Sequence, residues 1–183
     1  MMEIIEIPHP TLRQKSEPVV KVDKKLHEFI KELQNTLKST KKPKGAAGLA
    51  APQVNKLWRI FATQVTDSRV FINPTITKHS PEQTLGQDKD DPVMEGCLSI
   101  PRLYGPVFRW EWVELEFDQI KNGKLVREKE KFADFPARVI QHELDHLNGI
   151  LFTDHSLKNN LPVYQEIEQD KFEEIDREFL EII

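Results

Sequence analysis

Residues 141–147, QHELDHL, set two histidines four positions apart, with a glutamate directly after the first. On an α-helix, side chains four residues apart project from the same face, so His142 and His146 could bind one metal ion. Glu143 lies one step round the helix from His142, close enough to act on a water held by that metal. The other histidines, including His155, lack partner spacing and are expected to be structural or exposed. The motif therefore predicts two ligands and a base, and it requires a third ligand from elsewhere.

The single cysteine of the chain, Cys97, is the candidate third ligand. A free cysteine is usually a small buried apolar residue, and its neighbours are what favour a ligand here. It follows Gly96, which permits close backbone approach, in the segment 94–101, MEGCLSIP. One thiolate and two imidazoles form a sensible ligand set for a tetrahedral metal with one open position. An open position distinguishes a catalytic metal from a structural one.

The small-residue segment 45–53, GAAGLAAPQ, is a third candidate site. A phosphate-binding loop is a weak interpretation, because no Gly-Lys-Ser/Thr follows the glycines. Tight packing is the expected role of Ala50 and Ala51. Gln53 differs from them, because an amide after a proline in an apolar context could direct its NH₂ group towards a developing oxyanion.

Composition excludes several classes of protein. The chain has 183 residues, 38% apolar and 31% charged, which predicts a single domain, 1–183, with a sizeable core. A net charge of −4 gives no argument for nucleic-acid binding. No apolar run approaches the roughly 20 residues that span a membrane, and the first residues resemble neither a signal peptide nor a transit peptide. A lone cysteine excludes an intramolecular disulfide, so a cytoplasmic location is expected.

Hydrophobic periodicity and turn residues predict the elements that must position these groups. The predicted elements are a helix at 23–40, strands at 57–63, 70–73, 111–118 and 125–132, an exposed polar loop at 80–92, the metal-binding helix, and a last helix at 162–182. Asp23 suits the N-cap of the first helix, and Asn122 with Gly123 suits a type I′ turn between the last two strands. Pro136 suits the first position of the metal-binding helix, and Gly149 suits the residue after its end.

The order of these elements is one helix, then mostly strands, then two helices, which is typical of an α+β domain. We therefore expect small antiparallel sheets around a central metal-binding helix, with an N-terminal and a C-terminal helix. The segment 162–183 carries eight acidic residues against Lys171 and Arg177, which predicts a solvated outer face on the C-terminal helix.

Taken together, the three candidate segments resemble the motifs of the peptide deformylases. The matching segments are AAGLAAPQ at 46–53, EGCLS at 95–99 and QHELDH at 141–146, in that family's order. Shorter matches are IPHPTLR near the N-terminus, INP at 72–74 and NGILF at 148–152, and they extend the resemblance over about residues 4–155. Three motifs together are highly specific, whereas each alone would be weak or moderate.

The resemblance implies a hydrolase that removes the formyl group from the N-terminal N-formyl-methionine of new polypeptides and releases formate. It implies the metal ligands Cys97, His142 and His146. Glu143 would be the general base and then the general acid, while Gln53 and the Leu98 backbone N–H would form the oxyanion hole. The substrate pocket would include Ala46, Ala47, Gly48, Glu95, Gly96, Arg138 and Val139.

The resemblance also implies one divalent metal ion, with Fe²⁺ as the working metal and Zn²⁺, Ni²⁺ or Co²⁺ able to take its place. The implied partners are the formylated N-termini of nascent polypeptides and, transiently, the ribosome, with no membrane and no specific nucleic acid. In some bacterial members a basic C-terminal helix docks on the ribosome. The acidic segment 162–183 would instead be repelled by rRNA phosphates, so this contact is not expected to carry over.

One departure from the family's pattern concerns Glu95. Many members carry an arginine seven residues past the metal cysteine, and that arginine commonly pairs with the motif glutamate. Tyr104 stands at this position here. Arg102 or Arg109 would therefore have to pair with Glu95, which is expected to organise the site rather than act as an acid.

Two further departures concern the methionine pocket. Ala46 replaces the first glycine of the first motif. Arg138, four residues before His142, stands where an aliphatic residue tends to line the pocket in the family. Its charged stem could narrow the pocket or point outward, so the preference for methionine is expected to weaken.

Two alternative functions stay open. Another metallohydrolase with an H-E-x-x-H helix, such as a peptidase, would explain the two histidines, but Cys97 and Gln53 argue against it. A non-catalytic or attenuated family member would keep the fold and bind without efficient turnover. Ala46 and Arg138 are the only hints of that third interpretation.

Overall fold

The computed structural model describes residues 1–40, 46–86, 92–169 and 171–180. Its α-helices are α1 (Lys24–Ser39), α2 (Asp134–Leu147), α3 (Phe152–Asn159) and the single turn α4 (Arg177–Leu180). Short 3₁₀ helices lie at Pro10–Arg13 and Ala51–Val54. Within the described ranges, no helix is long and apolar enough to cross a membrane.

The strands pair antiparallel in three sheets. They are β1 (Gly48–Ala50), β2 (Ile60–Thr63), β3 (Arg69–His79), β4 (Gln83–Thr84), β5 (Met94–Cys97), β6 (Ile100–Pro106), β7 (Arg109–Trp110), β8 (Trp112–Lys121), β9 (Lys124–Ala133), β10 (Tyr164–Glu168) and β11 (Lys171–Glu174). The largest sheet has the order β1-β2-β3-β8-β9, the second has the order β11-β10-β6-β5, and β4 pairs with β7. β1 and β5 are therefore both edge strands.

Helix α2 packs its apolar face on the five-stranded sheet. Phe61, Phe71 and Phe117 are fully buried there, and neighbouring ring centroids are 4.9 Å and 4.8 Å apart. Ile140 and Leu144 of α2 belong to the same buried cluster. Each such side chain contributes roughly 1.5–3 kcal/mol when it is buried. This packing fixes the rotation of α2 about its axis, and hence the direction in which its polar face points.

Local sequence signals correctly predicted several element ends. Asp23 caps α1, since its Oδ1 accepts from a backbone N–H of the first turn at 3.0 Å. Asn122 and Gly123 have φ values of 50° and 72°, as a type I′ turn requires. Gly149, at φ 73°, follows α2 in the left-handed conformation that ends many helices. Pro136 is the third residue of α2 rather than the first, a position that its missing N–H also suits.

The predicted strands at 57–63 and 70–73 are only partly right. β2 covers only the last four residues of the first, and β3 continues past Asn73 to His79. Asn73 has φ 50°, and its side chain donates to and accepts from the backbone of Val19 at 2.8 Å. The strand therefore bends at a bulge instead of ending, and the Asn73 side chain attaches the bend to Val19.

The exposed loop predicted at 80–92 is only partly right, since residues 81–83 are exposed but Ser80 is buried and a short strand lies within the segment. Ser80 is buried, and its Oγ accepts from the Glu111 N–H at 3.0 Å. β4 follows and pairs with β7. The Ser80 hydroxyl binds backbone groups rather than water, which composition does not reveal. Residues 87–91 lie outside the described residues.

The C-terminal helix predicted at 162–182 is wrong except for the single turn α4. β10 pairs with β6, placing Tyr164 opposite Tyr104, and β11 folds back on β10 as a hairpin. The edge of β6 offers partners to an extended segment, and this pairing overrides the helical spacing of the apolar residues. Residues 170 and 181–182 lie outside the described residues. The remainder of the expected architecture, an α+β fold with small antiparallel sheets around a central helix, is confirmed, and one domain over 1–183 stays a prediction.

Candidate metal centre

Helix α2 carries several buried polar side chains, which bind neighbouring strands. Arg138, Gln141, Glu143 and His146 are at most 7% exposed. The amide of Gln141 accepts from the Trp110 N–H at 3.0 Å and donates to the Trp110 carbonyl at 2.9 Å. This pair of bonds holds α2 against β7. The other polar side chains of the helix are thereby held in a fixed direction.

Cys97, His142 and His146 converge on one point. Their ligand atoms all lie within 4.8 Å of one another, and Cys97 Sγ is 3.3 Å from His146 Nε2. Cys97 ends the edge strand β5, and the two histidines project from successive turns of α2. One soft thiolate and two imidazoles suit a divalent transition metal and leave a fourth position for water or substrate. These three residues could therefore hold a catalytic metal.

Thiolate is the form of cysteine that binds metals, and the surroundings of Cys97 favour it. Burial opposes ionisation of the thiol, but the neighbouring imidazoles of His146 and His142 lower its pKa to about 5. Burial likewise opposes charge on His142, but Cys97 and Glu95 raise its pKa well above the usual value. The centre is thus arranged for a cation that would displace these protons.

Glu95 and Arg109 form a buried ion pair behind His142. Arg109 donates from Nε and Nη2 to the two carboxylate oxygens at 2.9 Å and 2.8 Å. Glu95 also lies 3.0 Å from His142 Nδ1, which leaves Nε2 of that ring for a metal. Burial opposes the charge of Glu95, yet Arg109 and His142 hold its pKa well below the usual range. The arginine partner of Glu95 is therefore Arg109, while Arg102 donates to two carbonyls of β10.

Asp145 extends this network towards the protein surface. Arg109 Nη1 donates to Asp145 Oδ2 at 2.5 Å, and His155 Nε2 lies 2.8 Å from the same oxygen. Sequence reasoning missed both residues. The available signal for Asp145 was its place in the QHELDH motif, three residues after His142. His155 gave no signal, because only the turn of the chain after α2 brings it to Asp145.

Glu143 is buried beside the three candidate ligands. Its Oε2 has no hydrogen-bond partner within the part of the chain that the structure describes. A Cβ at Gly48 would lie 2.2 Å from Glu143 Oε1, so the absence of a side chain at Gly48 makes room for the carboxylate. Burial raises the pKa of Glu143 to about 7, although His142 and His146 act in the opposite direction. A carboxylate with this pKa can both accept and return a proton near neutral pH.

Gln53 approaches Cys97 from the segment that follows β1. Its Oε1 accepts from the Ala50 N–H at 2.8 Å, which orients the buried amide. Nε2 consequently faces Cys97 Sγ at 3.5 Å and Ser99 Oγ at 3.3 Å. Leu98 follows Cys97 in the two-residue turn between β5 and β6. The NH₂ group of Gln53 is thus held beside a candidate metal ligand, where it could donate to a substrate oxygen.

The predicted pocket residues come from three places. Ala46 and Ala47 precede β1 and Gly48 begins it, Glu95 and Gly96 belong to β5, and Arg138 and Val139 belong to α2. Arg138 is 7% exposed, and its guanidinium donates to the carbonyls of Thr84, Leu85 and Val107. The outward orientation considered for Arg138 is therefore wrong, because these buried carbonyls bind it. Contact of these residues with a methionine side chain stays a prediction.

Comparison with known sequences identifies the family. The family model described as polypeptide deformylase matches residues 1–161. A peptide deformylase of Pseudothermotoga lettingae is 40% identical over 145 residues, which cover 79% of this chain and 77% of the relative. A peptide deformylase of Treponema pallidum (strain Nichols) is 42% identical over 154 residues, which cover 84% of this chain and 86% of the relative.

Solved structures agree with the sequence comparison. The crystal structure of peptide deformylase from Thermotoga maritima is similar with a TM-score of 0.73 at 33% identity, covering 85% of this chain and 97% of that one. A peptide deformylase from Synechococcus elongatus in complex with actinonin has a TM-score of 0.72 at 33% identity, covering 84% of this chain and 78% of that one. This chain belongs to the polypeptide deformylase family.

Proposed function

We propose that this protein removes the formyl group from the N-terminal N-formyl-methionine of newly synthesised polypeptides and releases formate. One observation carries the proposal: the ligand atoms of Cys97, His142 and His146 lie within 4.8 Å of one another, and the buried Glu143 directly follows His142 on the same helix. A proton-transfer group and a candidate metal site thus share one buried centre. Formylated N-termini of nascent chains are the proposed partners, and a cytoplasmic location goes with that substrate.

The residues present fit a divalent metal. Cys97, His142 and His146 would hold it, since the pKa of the thiol is lowered and one imidazole already binds Glu95 through Nδ1. A bound divalent metal supplies a water whose pKa is lowered to about 7 and a positive charge beside the substrate. We propose Fe²⁺ as the working metal, with Zn²⁺, Ni²⁺ or Co²⁺ as substitutes. Because thiolates oxidise, we expect activity to fall on exposure to air.

The side chains of this centre supply the remaining chemistry. Glu143 accepts a proton from the attacking water, whose oxygen forms a bond to the formyl carbon. The carbonyl oxygen becomes an oxyanion, which accepts hydrogen bonds from Gln53 Nε2 and the Leu98 N–H. Each such donor is typically worth roughly 3–4 kcal/mol in the transition state. Glu143 then returns the proton to the amine nitrogen as the C–N bond breaks, leaving formate and a free N-terminus.

The edges of two sheets would receive the peptide. β1 and β5 are edge strands, and each leads directly to a residue of the centre, Gln53 or Cys97. Open backbone groups on such edges can pair with an extended peptide. Transient ribosome docking has no support from the C-terminal hairpin, because its carboxylates would be repelled by rRNA phosphates.

The proposal is tested with protein purified without oxygen. Formate release from a formyl-Met peptide and cleavage of an internal peptide bond are measured for the wild type and for Glu143→Gln, together with bound metal. We expect formate release by the wild type and a loss of about 10²–10⁴-fold in Glu143→Gln with the metal retained. Glu116→Gln, on the exposed face of β8, is the control for removal of one charge.

Each alternative has its own outcome. Internal cleavage without formate release would indicate a peptidase. Metal binding without turnover would indicate a non-catalytic family member. Full activity in Glu143→Gln would remove Glu143 from the mechanism.

A further inference from the structure

The outer face of the four-stranded sheet carries a row of side chains next to the metal centre. Gly96 of β5 pairs with Tyr104 of β6, and Tyr104 pairs with Tyr164 of β10. Glu166 of β10 pairs with Phe172 of β11. Residues paired across antiparallel strands point to the same face, as do residues two apart along a strand, so all five share one face. The opposite face of β6 packs in the core.

Tyr104 connects this face to the metal centre. A Cβ at Gly96 would lie 2.6 Å from Tyr104 Cε1, so the ring occupies the space above Gly96. Gly96 is exposed and directly precedes Cys97. Phe172 packs edge-on against the same ring, with centroids 5.6 Å apart, and is itself 50% exposed. An exposed aromatic surface therefore begins one residue from a candidate metal ligand.

The aromatic surface lies in a negatively charged region. Burial and the neighbouring Glu166 carboxylate raise the pKa of the Tyr104 hydroxyl. Within the described residues from 164 to 176, the charged side chains are Glu166, Glu168, Glu173, Glu174 and Asp176 against Lys171. Arg102 of β6 directs its guanidinium to two β10 carbonyls. The face of an aromatic ring attracts a cation through its quadrupole, and nearby carboxylates add a longer-range attraction.

The open edge of β5 brings the substrate to this surface. A peptide that lies along that edge would place alternate side chains on the face that carries Gly96 and Tyr104. Adjacent strands are about 4.8 Å apart, and the Tyr104 ring already extends over Gly96. A lysine or arginine side chain beside Gly96 is therefore long enough to reach the ring.

We propose that Tyr104, supported by Phe172 and Glu166, is a specificity-determining residue that binds a lysine or arginine side chain of the substrate. This side chain would belong to one of the first residues after formyl-methionine, and the inference rests on the proposed deformylase function. The hairpin of β10 and β11 is then part of the substrate-binding surface. An exposed cation–aromatic contact corresponds to about two- to fivefold in affinity, which is the preference expected in KM.

Peptides that differ only in charge test this inference. Formyl-Met-Lys-Ser and formyl-Met-Ala-Lys are compared with the same peptides carrying norleucine in place of lysine, which keeps the length of the stem. We expect kcat/KM to be about two- to fivefold higher for lysine at one of these positions, through a lower KM. Equal values at both positions would overturn the inference. No turnover of any formyl-Met peptide would reject the proposed function instead.

Variants assign the preference to the ring. Tyr104→Leu should abolish the lysine preference, whereas Tyr104→Phe should keep most of it because the ring face remains. Glu166→Gln should reduce it, and more strongly at low salt, where charges are less screened. Glu173→Gln removes the same charge from the opposite face of the hairpin and should leave the preference unchanged.

Two results would contradict the assignment to Tyr104. One is a lysine preference that survives Tyr104→Leu, and the other is an equal loss in Glu166→Gln and Glu173→Gln. Because Glu166→Gln and Glu173→Gln keep the volume of the original side chains, their comparison still tests whether this face binds the cation if Tyr104→Leu folds poorly.

Discussion

Two groups of ion pairs in this protein join a basic side chain to glutamate carboxylates in opposite surroundings. On the β8–β9 hairpin, Lys129 lies 2.7 Å from Glu114 and 3.7 Å from Glu116, with the lysine side chain 44% exposed. At the metal centre, Arg109 lies 2.8 Å from Glu95, and the two side chains are 4% and 9% exposed. The shorter distances are similar, whereas the exposure of the cation differs roughly tenfold, 44% for Lys129 against 4% for Arg109.

The difference in burial decides what each group contributes. Water and salt screen the exposed pairs, so their free energy is close to that of the separated ions. The buried carboxylate of Glu95 has no water to replace Arg109, so loss of that arginine would leave it with the weaker pairing to Arg138 at 3.9 Å and the bond to His142. Glu95 also orients His142, so a change at Arg109 is expected to reach the metal centre. The burial of an ion pair, rather than the number of ion pairs, should therefore predict how far the free energy of unfolding falls when the cation is removed.

Arg109→Met is expected to have the largest effect. It would remove the cation that Glu95 and Asp145 share, leaving Glu95 with His142 and with Arg138 at 3.9 Å. We expect a loss of about 3 kcal/mol in the free energy of unfolding, measured by urea denaturation. Formate release should fall about 10–100-fold, because Glu95 would no longer hold His142 in place. Arg109→Lys is the matched control, and it should lose less because it keeps the charge without the two-pronged geometry. Unchanged stability in Arg109→Met would contradict the expectation that burial sets the contribution of an ion pair.

Arg138→Met should have the next largest effect. Its side chain is 8% exposed, and it donates to the buried Val107 carbonyl at 2.7 Å. Loss of that donor should lower the free energy of unfolding by about 1–3 kcal/mol. Removal of a buried guanidinium charge acts in the opposite direction and offsets part of this loss. Urea denaturation measures this change in the free energy of unfolding. A rise in stability would mean that burial of the charge costs more than its hydrogen bonds contribute.

Arg69→Ala tests the middle of the burial range. Arg69 donates to both oxygens of Glu130 at 2.9 Å and 2.7 Å, and it lies over the ring of Phe71 with its side chain 28% exposed. We expect a loss of about 1 kcal/mol in the free energy of unfolding. Arg69→Met keeps the packing of the stem and isolates the contribution of the charge. A loss equal to that of Arg109→Met would show that burial does not set the order.

Lys129→Ala should have the smallest effect. Lys129 is exposed and its partners Glu114 and Glu116 are partly exposed, so we expect no resolvable change in the urea midpoint at physiological salt. A change that appears only at low salt would agree with a screened surface pair. A clear loss at high salt would instead mean that the hairpin depends on this lysine for packing.

Several features of the fold could be predicted because neighbouring residues encode them. Asp23 caps a helix, and Asn122 with Gly123 forms a turn, through bonds and backbone angles within a few residues. The strand predicted at 111–118 alternates apolar and polar residues, and the buried Val113, Leu115 and Phe117 confirm that pattern. The segment 162–182 failed because its apolar spacing suited a helix, while the edge of β6, distant in sequence, paired with it as a strand.

For the candidate site, the sequence by itself determined the chemical groups. Residue types and motif spacing pointed to Cys97, His142 and His146 as ligands and to Glu143 as the base, because a helix repeat and ligand chemistry are local properties. The tertiary structure alone decided which arginine pairs with Glu95, that His155 meets Asp145, and that Arg138 points inward. Those outcomes depend on contacts between segments far apart in the chain, where burial and the available hydrogen-bond partners select one arrangement.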